Sequence, residues 1–155
     1  MTDNTISFRA DMIGLILSGK KTVTIRPMKP QPKNVEEHDG LFLKTYFSWQ
    51  ERDLSEKGSE WLYNRYPHGR IGEVMTVRER NDIQLRIIDI RVSKLHHIDR
   101  NWWFMDGLTF DIRVFGGEDK SYYHWQGFYG DTEYRWANNP WVWVIEFELM
   151  KGTSK

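Results

Sequence analysis

The stretch RADMIGLILSGKKTVTIR, residues 9–26, decides how the chain begins to fold. Its apolar residues at 12, 13 and 15–17 form one face of a helix, which predicts a helix over 9–18. Gly19 stands at the position after the helix end, where glycine is favoured because it tolerates a left-handed backbone. The two lysines that follow suit the negative end of the helix dipole. We therefore predict a helix that ends in a turn at Gly19.

The residues after this turn, TVTIR at 22–26, alternate and are rich in β-branched side chains, which predicts a strand. Val23 and Ile25 then face the core, while the polar side chains share the opposite face: Thr22, Thr24 and Arg26. Lys21 has the wrong parity to join that polar face in a straight strand. It can meet the Thr24 hydroxyl only if it lies in the turn and bends back.

The remaining chain contains more predicted strands than helices, and the two are not regularly interleaved. This predicts a single α+β domain over 1–155, built on a small barrel-like mixed sheet of about five to seven strands with about two or three peripheral helices.

Prolines and irregular composition mark two insertions, at about 31–70 and 109–139, and the second is expected to hold hairpins or a functional cover. Strands are predicted at 41–49, 74–78, 83–95 and, centrally, 141–149; helices are predicted at 53–65 and at 98–106, ending at Gly107.

Composition excludes several classes of function. The chain has no cysteine, which rules out thiol nucleophiles, zinc knuckles and iron–sulfur clusters. Its formal net charge is zero, which rules out a whole-surface basic field. It contains no apolar run of membrane-spanning length and does not start with a secretory signal, so we expect a cytoplasmic protein without a membrane partner.

Aromatic residues make up 15% of the chain, and six of the eight tryptophans lie between Trp102 and Trp143. Large rings commonly fill the core of a small domain. They also stack on nucleobases in proteins that bind single strands. The candidates for such a base-stacking cover are Tyr122, Tyr123, His124 and Trp125, with a cluster at the edge of the core as the alternative.

An amine, a hydroxyl and a guanidinium lie close together at Lys21, Thr24 and Arg26. A lysine that is desolvated beside other cations loses affinity for its proton, as a base for a hydroxyl nucleophile requires. The fixed fork of Arg26 suits an oxyanion or a phosphate. A basic, threonine-rich edge strand without catalytic function is the common alternative.

The pattern G-x-K-x-x-T-x-R, formed by Gly19, Lys21, Thr24 and Arg26, resembles the opening motif of ASCH domains, which are PUA-like β-barrel modules associated with RNA and modified nucleosides. Threonine replaces the usual glutamate at the fourth motif position, as in the branch that contains bacterial N(4)-acetylcytidine amidohydrolases. Further stretches resemble a phage and prophage ASCH-like group: 26–27, 29–32, 72–73, 77–79, 87–92, 95, 98, 106–108 and 139–144.

The resemblance implies roles at the matching positions. Lys21 assists Thr24 as nucleophile, and Asp106 stands where the amidohydrolases have an acid/base glutamate that is one methylene longer. Beside these, the residues themselves offer candidates for substrate binding: Arg26, Thr22, Arg78, Glu79 and Trp125. Taken alone, Asp106-Gly107 indicates a turn, and Arg78 and Glu79 indicate an exposed ion pair.

The function implied is binding of a modified nucleoside or single-stranded RNA, with hydrolysis of the amide of an N(4)-acetylcytidine-type nucleoside as the reaction. The alternatives are a non-catalytic nucleic-acid-binding module, a metal-independent ribonuclease of phage origin, and a phage accessory role through protein contacts. No cofactor and no metal are expected, because adjacent His96 and His97 cannot easily ligate one ion and have no third ligand nearby.

Overall fold

The computed structural model describes residues 4–29, 31–32, 34–37, 45–48, 66–107 and 120–150. The α-helices in these ranges are α1 (Ala10–Leu17), α2 (Arg100–Met105) and α3 (Lys120–Tyr129), with 3-10 turns at Leu95–His97 and Trp136–Asn138. The strands are β1 (Thr5–Ile6), β2 (Val23–Pro27), β3 (Asn34–Glu37), β4 (Thr45–Ser48), β5 (Val74–Val77), β6 (Arg80–Lys94) and β7 (Trp141–Leu149).

Five of the strands form one mixed sheet in the order β1-β5-β6-β7-β2. β1 runs parallel to β5, and the other neighbours are antiparallel. β7 lies between β6 and β2, which confirms its prediction as an interior strand, and β3 pairs with β4 in a separate two-stranded sheet. The α+β class is confirmed. In the ranges described, β1 and β2 are edge strands and the five-stranded sheet is open, so the barrel stays a prediction.

The interior strand β7 is buried on both of its faces. Trp143, Ile145 and Phe147 belong to the core cluster that also holds the apolar face of α1. Val142 and Val144 point the other way, into a second cluster with Trp103 of α2 and Trp125 of α3. Because successive side chains of a strand alternate between faces, the sequence WVWVIEFEL contributes apolar side chains to both core clusters.

The end of α1 confirms the predicted helix and turn. Gly19 has a φ of 81°, its N–H donates to the Ile16 carbonyl at 3.1 Å, and the N–H of Lys20 donates to the Leu15 carbonyl at 2.9 Å. These two bonds form a Schellman motif, which needs a left-handed residue at its centre. The N–H of Lys21 also donates to the Leu15 carbonyl, at 3.1 Å. The turn therefore places Lys21 against the helix end, off the strand that follows.

α2 also follows its sequence signals. The Asp99 carboxylate caps the helix by accepting from the N–H of Asn101 at 2.8 Å. Gly107, with a φ of 105°, follows the last turn. The N–H of Thr22 donates to the Met105 carbonyl at 2.8 Å, which joins the end of α2 to the start of β2.

The two insertions are described only in part. The helix predicted at 53–65 lies outside the described residues, and β4 occupies part of the strand predicted at 41–49. In the second insertion the described residues from 120 onward form α3 and a 3-10 turn. Residues 109–119 lie outside the described residues, so the expectation of hairpins or a functional cover over 109–139 stays a prediction. The rings of Trp125 and Tyr129, four residues apart, contact each other at 4.4 Å and give α3 an aromatic face. Residues four positions apart lie on the same face of an α-helix.

Candidate functional site

A cavity of about 310 Å³ lies beside β2, between α1 and α3. Its walls include one polar face of β2, the segment after β1, the end of α2 and the inner face of α3. The site residues predicted from the sequence that line it are Lys21, Thr24, Arg26, Glu79, Asp106 and Trp125. Asp106 is 85 positions from Lys21 along the chain, so the fold itself brings these groups together.

Lys21 is almost fully buried, with 3% of its surface exposed. Its Nζ donates to the Val23 carbonyl at 2.8 Å, to the Asp106 carbonyl at 2.6 Å and to the Asp106 Oδ1 at 2.9 Å. An ammonium has three N–H groups, and these acceptors engage all of them. The expected hydrogen bond between Lys21 and the Thr24 hydroxyl is not formed, because the Val23 carbonyl and the carbonyl and carboxylate of Asp106 take all three N–H groups.

The carboxylate of Asp106 is the centre of a buried hydrogen-bond network. Oδ1 accepts from Lys21 and, at 2.9 Å, from the N–H of Ile25, while Oδ2 lies 2.8 Å from the Nε2 of His124. Burial acts to raise the pKa of Asp106, but Lys21 and His124 outweigh it and hold the pKa below its ordinary value. Burial lowers the pKa of Lys21, and Asp106 opposes that shift. The carboxylate is therefore ionised at neutral pH.

His124 was predicted from the sequence only as part of a base-stacking cover or an aromatic cluster, without a partner for its ring nitrogens. Its side chain is 11% exposed and lines the cavity. The ring contacts Trp103 and Phe128 edge-on, with centroids 6.1 Å and 5.5 Å away. No motif links it to Asp106, since the two residues meet only because α3 packs over the end of α2.

Thr24 and Arg26 form the β2 wall of the cavity. The Nε of Arg26 donates to the Thr24 Oγ1 at 3.0 Å, and its Nη2 donates to the Ser7 carbonyl at 2.6 Å. The guanidinium also lies over the ring of Phe8, with Cζ 4.9 Å from the centroid. Arg26 thus connects the two edge strands of the sheet through the segment after β1, and only two of its five N–H groups are engaged in these bonds.

The other residues implied in substrate binding divide into two groups. Glu79 lines the cavity and its Oε1 accepts from the N–H of Phe8 at 3.1 Å. Trp125 lines it too, but it is 2% exposed and its Nε1 donates to the Tyr134 carbonyl, so its indole is mainly core. Thr22 and Arg78 lie outside the cavity, and Arg78 donates to the Thr5 hydroxyl at 3.1 Å.

Of the four residues predicted as a base-stacking cover, only His124 and Trp125 line the cavity. Tyr122 and Tyr123 do not line the cavity, and Tyr123 is 66% exposed. The rings available to a ligand there are Phe8, Phe128 and Tyr129. In the part of the chain that the structure describes, no three His, Asp or Glu side chains group as metal ligands, and no helix is long and apolar enough to span a membrane.

Comparison with known proteins adds one distant structural similarity. No family model and no curated protein matches the chain. The crystal structure of protein EF3133 from Enterococcus faecalis V583, described as DUF984, is 11% identical. The match covers 97% of this chain and 82% of that one, with a TM-score of 0.47.

Proposed function

We propose that this protein is an ASCH-like protein of the PUA-like class, that its cavity binds a modified nucleoside, and that it hydrolyses the amide of N(4)-acetylcytidine-type nucleosides. One observation carries the proposal: Lys21, Thr24, Arg26 and Asp106 line the same cavity. In the sequence, only the family resemblance connects the motif residues with Asp106. Their positions around one cavity support a shared role.

The size and walls of the cavity suit a nucleobase. Its volume of about 310 Å³ is at the lower end of the range of roughly 300–1,000 Å³ typical of small-molecule sites. Phe8, Phe128 and Tyr129 offer ring surfaces, and aromatic rings stack on planar bases. Polar side chains line it as well, and those on the β2 wall, Thr24 and Arg26, can orient the exocyclic amide of the base.

In the proposed reaction Thr24 is the nucleophile. Its Oγ1 attacks the acyl carbon, and the free N–H groups of Arg26 stabilise the negative charge that develops on the carbonyl oxygen. Lys21, held by its three acceptors, acts through its positive charge in the cavity wall. Asp106 reaches Lys21 in spite of its shorter side chain, because the turn after α1 brings the ammonium to it.

Binding without turnover is the second candidate, and one observation favours it. The engagement of all three N–H groups of Lys21 suits a structural ammonium as well as a catalytic one. Lys29 is exposed near the rings of Tyr129 and Tyr134, 5.7 Å and 5.4 Å from their centroids, where it can meet a phosphate of single-stranded RNA. Such binding weakens as salt rises.

The test is incubation of the purified protein with N(4)-acetylcytidine, followed by chromatography for cytidine and acetate. Release of both products supports the proposed enzyme. Binding of cytidine or of a single-stranded oligonucleotide, read from tryptophan fluorescence, without product supports the second candidate. Neither product nor binding at high protein concentration overturns the proposal, and shortening of labelled RNA in EDTA would favour a ribonuclease.

A further inference from the structure

Amide hydrolysis needs a group that takes the proton of the nucleophile and returns it to the leaving amine. Four amine, carboxyl and imidazole side chains line the cavity: Lys21, Glu79, Asp106 and His124. They differ in how many of their polar atoms already form hydrogen bonds within the protein. That difference identifies the group that remains free to accept a proton.

Three of the four are poorly suited. Lys21 uses all three N–H groups in hydrogen bonds and stays charged beside Asp106. Asp106 accepts from Lys21, Ile25 and His124, and its lowered pKa makes it a weak base. Burial opposes the charge on Glu79, but the N–H of Phe8 and neighbouring groups outweigh it and lower the pKa of that carboxyl as well.

His124 has the arrangement that a base requires. Because the Asp106 carboxylate is an acceptor, the Nε2 of His124, 2.8 Å from Oδ2, carries the ring proton when the imidazole is neutral. Nδ1 then holds the lone pair, and it has no hydrogen-bond partner among the described residues. The edge contacts with Trp103 and Phe128 fix the plane of the ring. An imidazole oriented by a carboxylate is a recurrent solution for activating hydroxyl nucleophiles.

We propose that His124 is the catalytic proton acceptor of this site and that Asp106 is its positioning residue. The inference rests on the proposed function. The Thr24 hydroxyl gives its proton to Nδ1 as the bond from Oγ1 to the acyl carbon forms and the carbonyl electron pair moves to oxygen. Collapse breaks the bond to the exocyclic nitrogen, which takes the proton from Nδ1 and leaves as the amine of cytidine. Water then hydrolyses the threonine ester by the same route and releases the carboxylic acid.

The experiment compares His124→Gln with a matched control, His97→Gln, in the full chain. The glutamine amide can donate to Asp106 in place of Nε2, so the fold is retained, but it cannot accept a proton. We expect turnover of N(4)-acetylcytidine to fall by roughly 10²–10⁴-fold. His97, an exposed residue remote from the cavity, should tolerate the change without loss of rate.

A second variant separates a chemical role from a structural one. His124→Gly in buffer containing imidazole should recover part of the lost rate, in proportion to the neutral imidazole present. If His124→Gln hydrolyses N(4)-acetylcytidine at the wild-type rate, this inference is overturned and the proposed function still stands. A wild-type protein that binds cytidine but releases no product overturns both.

Discussion

Two ion pairs of nearly equal length have different environments in this molecule. Lys21 and Asp106 are 2.9 Å apart with side chains 3% and 9% exposed, whereas Arg91 and Asp89 are 2.7 Å apart with side chains 52% and 34% exposed. The buried carboxylate has three hydrogen-bond donors from the protein. The exposed one accepts from Arg91 and the N–H of Ile90 and remains partly in water. Distance alone therefore does not reveal which pair organises a site.

The largest expected effect comes from breaking the buried pair. Asp106→Asn leaves the Lys21 ammonium buried without its counter-charge, and such changes cost about 3–5 kcal/mol of stability. The matched control is Asp89→Asn, the same chemical change at an exposed pair, with an expected cost of at most about 1 kcal/mol. Urea unfolding followed by tryptophan fluorescence measures both. Equal losses would show that burial does not distinguish the two pairs.

A smaller effect is expected from moving the buried pair without changing its charges. Gly107→Ala places a Cβ 3.1 Å from Leu15 and 3.3 Å from Met12 at a φ of 105°, next to Asp106. Backbone strain of this kind costs about 1–3 kcal/mol. Gly19→Ala provides the comparison, because at its φ of 81° an added Cβ meets no atom within 4 Å. The unfolding midpoint should fall further for Gly107→Ala, and the reverse order would contradict the packing described.

Acid pH should weaken the stabilising contribution of the buried pair. The pKa of Asp106 is lower in the folded protein than its ordinary value, so the unfolded chain takes up the proton first as pH falls. Its contribution is therefore full above about pH 4 and is lost as pH drops through the folded pKa. The difference in unfolding free energy between wild type and Asp106→Asn should narrow below that pH. A constant difference down to pH 3 would argue against an ionised Asp106.

The same contrast explains which features of the structure could be predicted from the sequence. The helix, the glycine turn and the strand over 9–27 follow local rules of periodicity and capping, and the structure confirms them. The contact between Lys21 and Asp106 depends on tertiary packing, and only the family resemblance connected these residues. The backbone acceptors of Lys21 and the pairing of His124 with Asp106 have no sequence signal. These contacts form where the turn after α1, the end of α2 and the helix α3 meet.

The most direct test of the shared site is the rate of cytidine release from N(4)-acetylcytidine by Thr24→Val against Thr22→Val. The two threonines lie on one predicted strand face, but only Thr24 lines the cavity. We predict that Thr24→Val loses turnover while it remains folded, and that Thr22→Val retains turnover. Cytidine release by Thr24→Val at the wild-type rate would contradict the account.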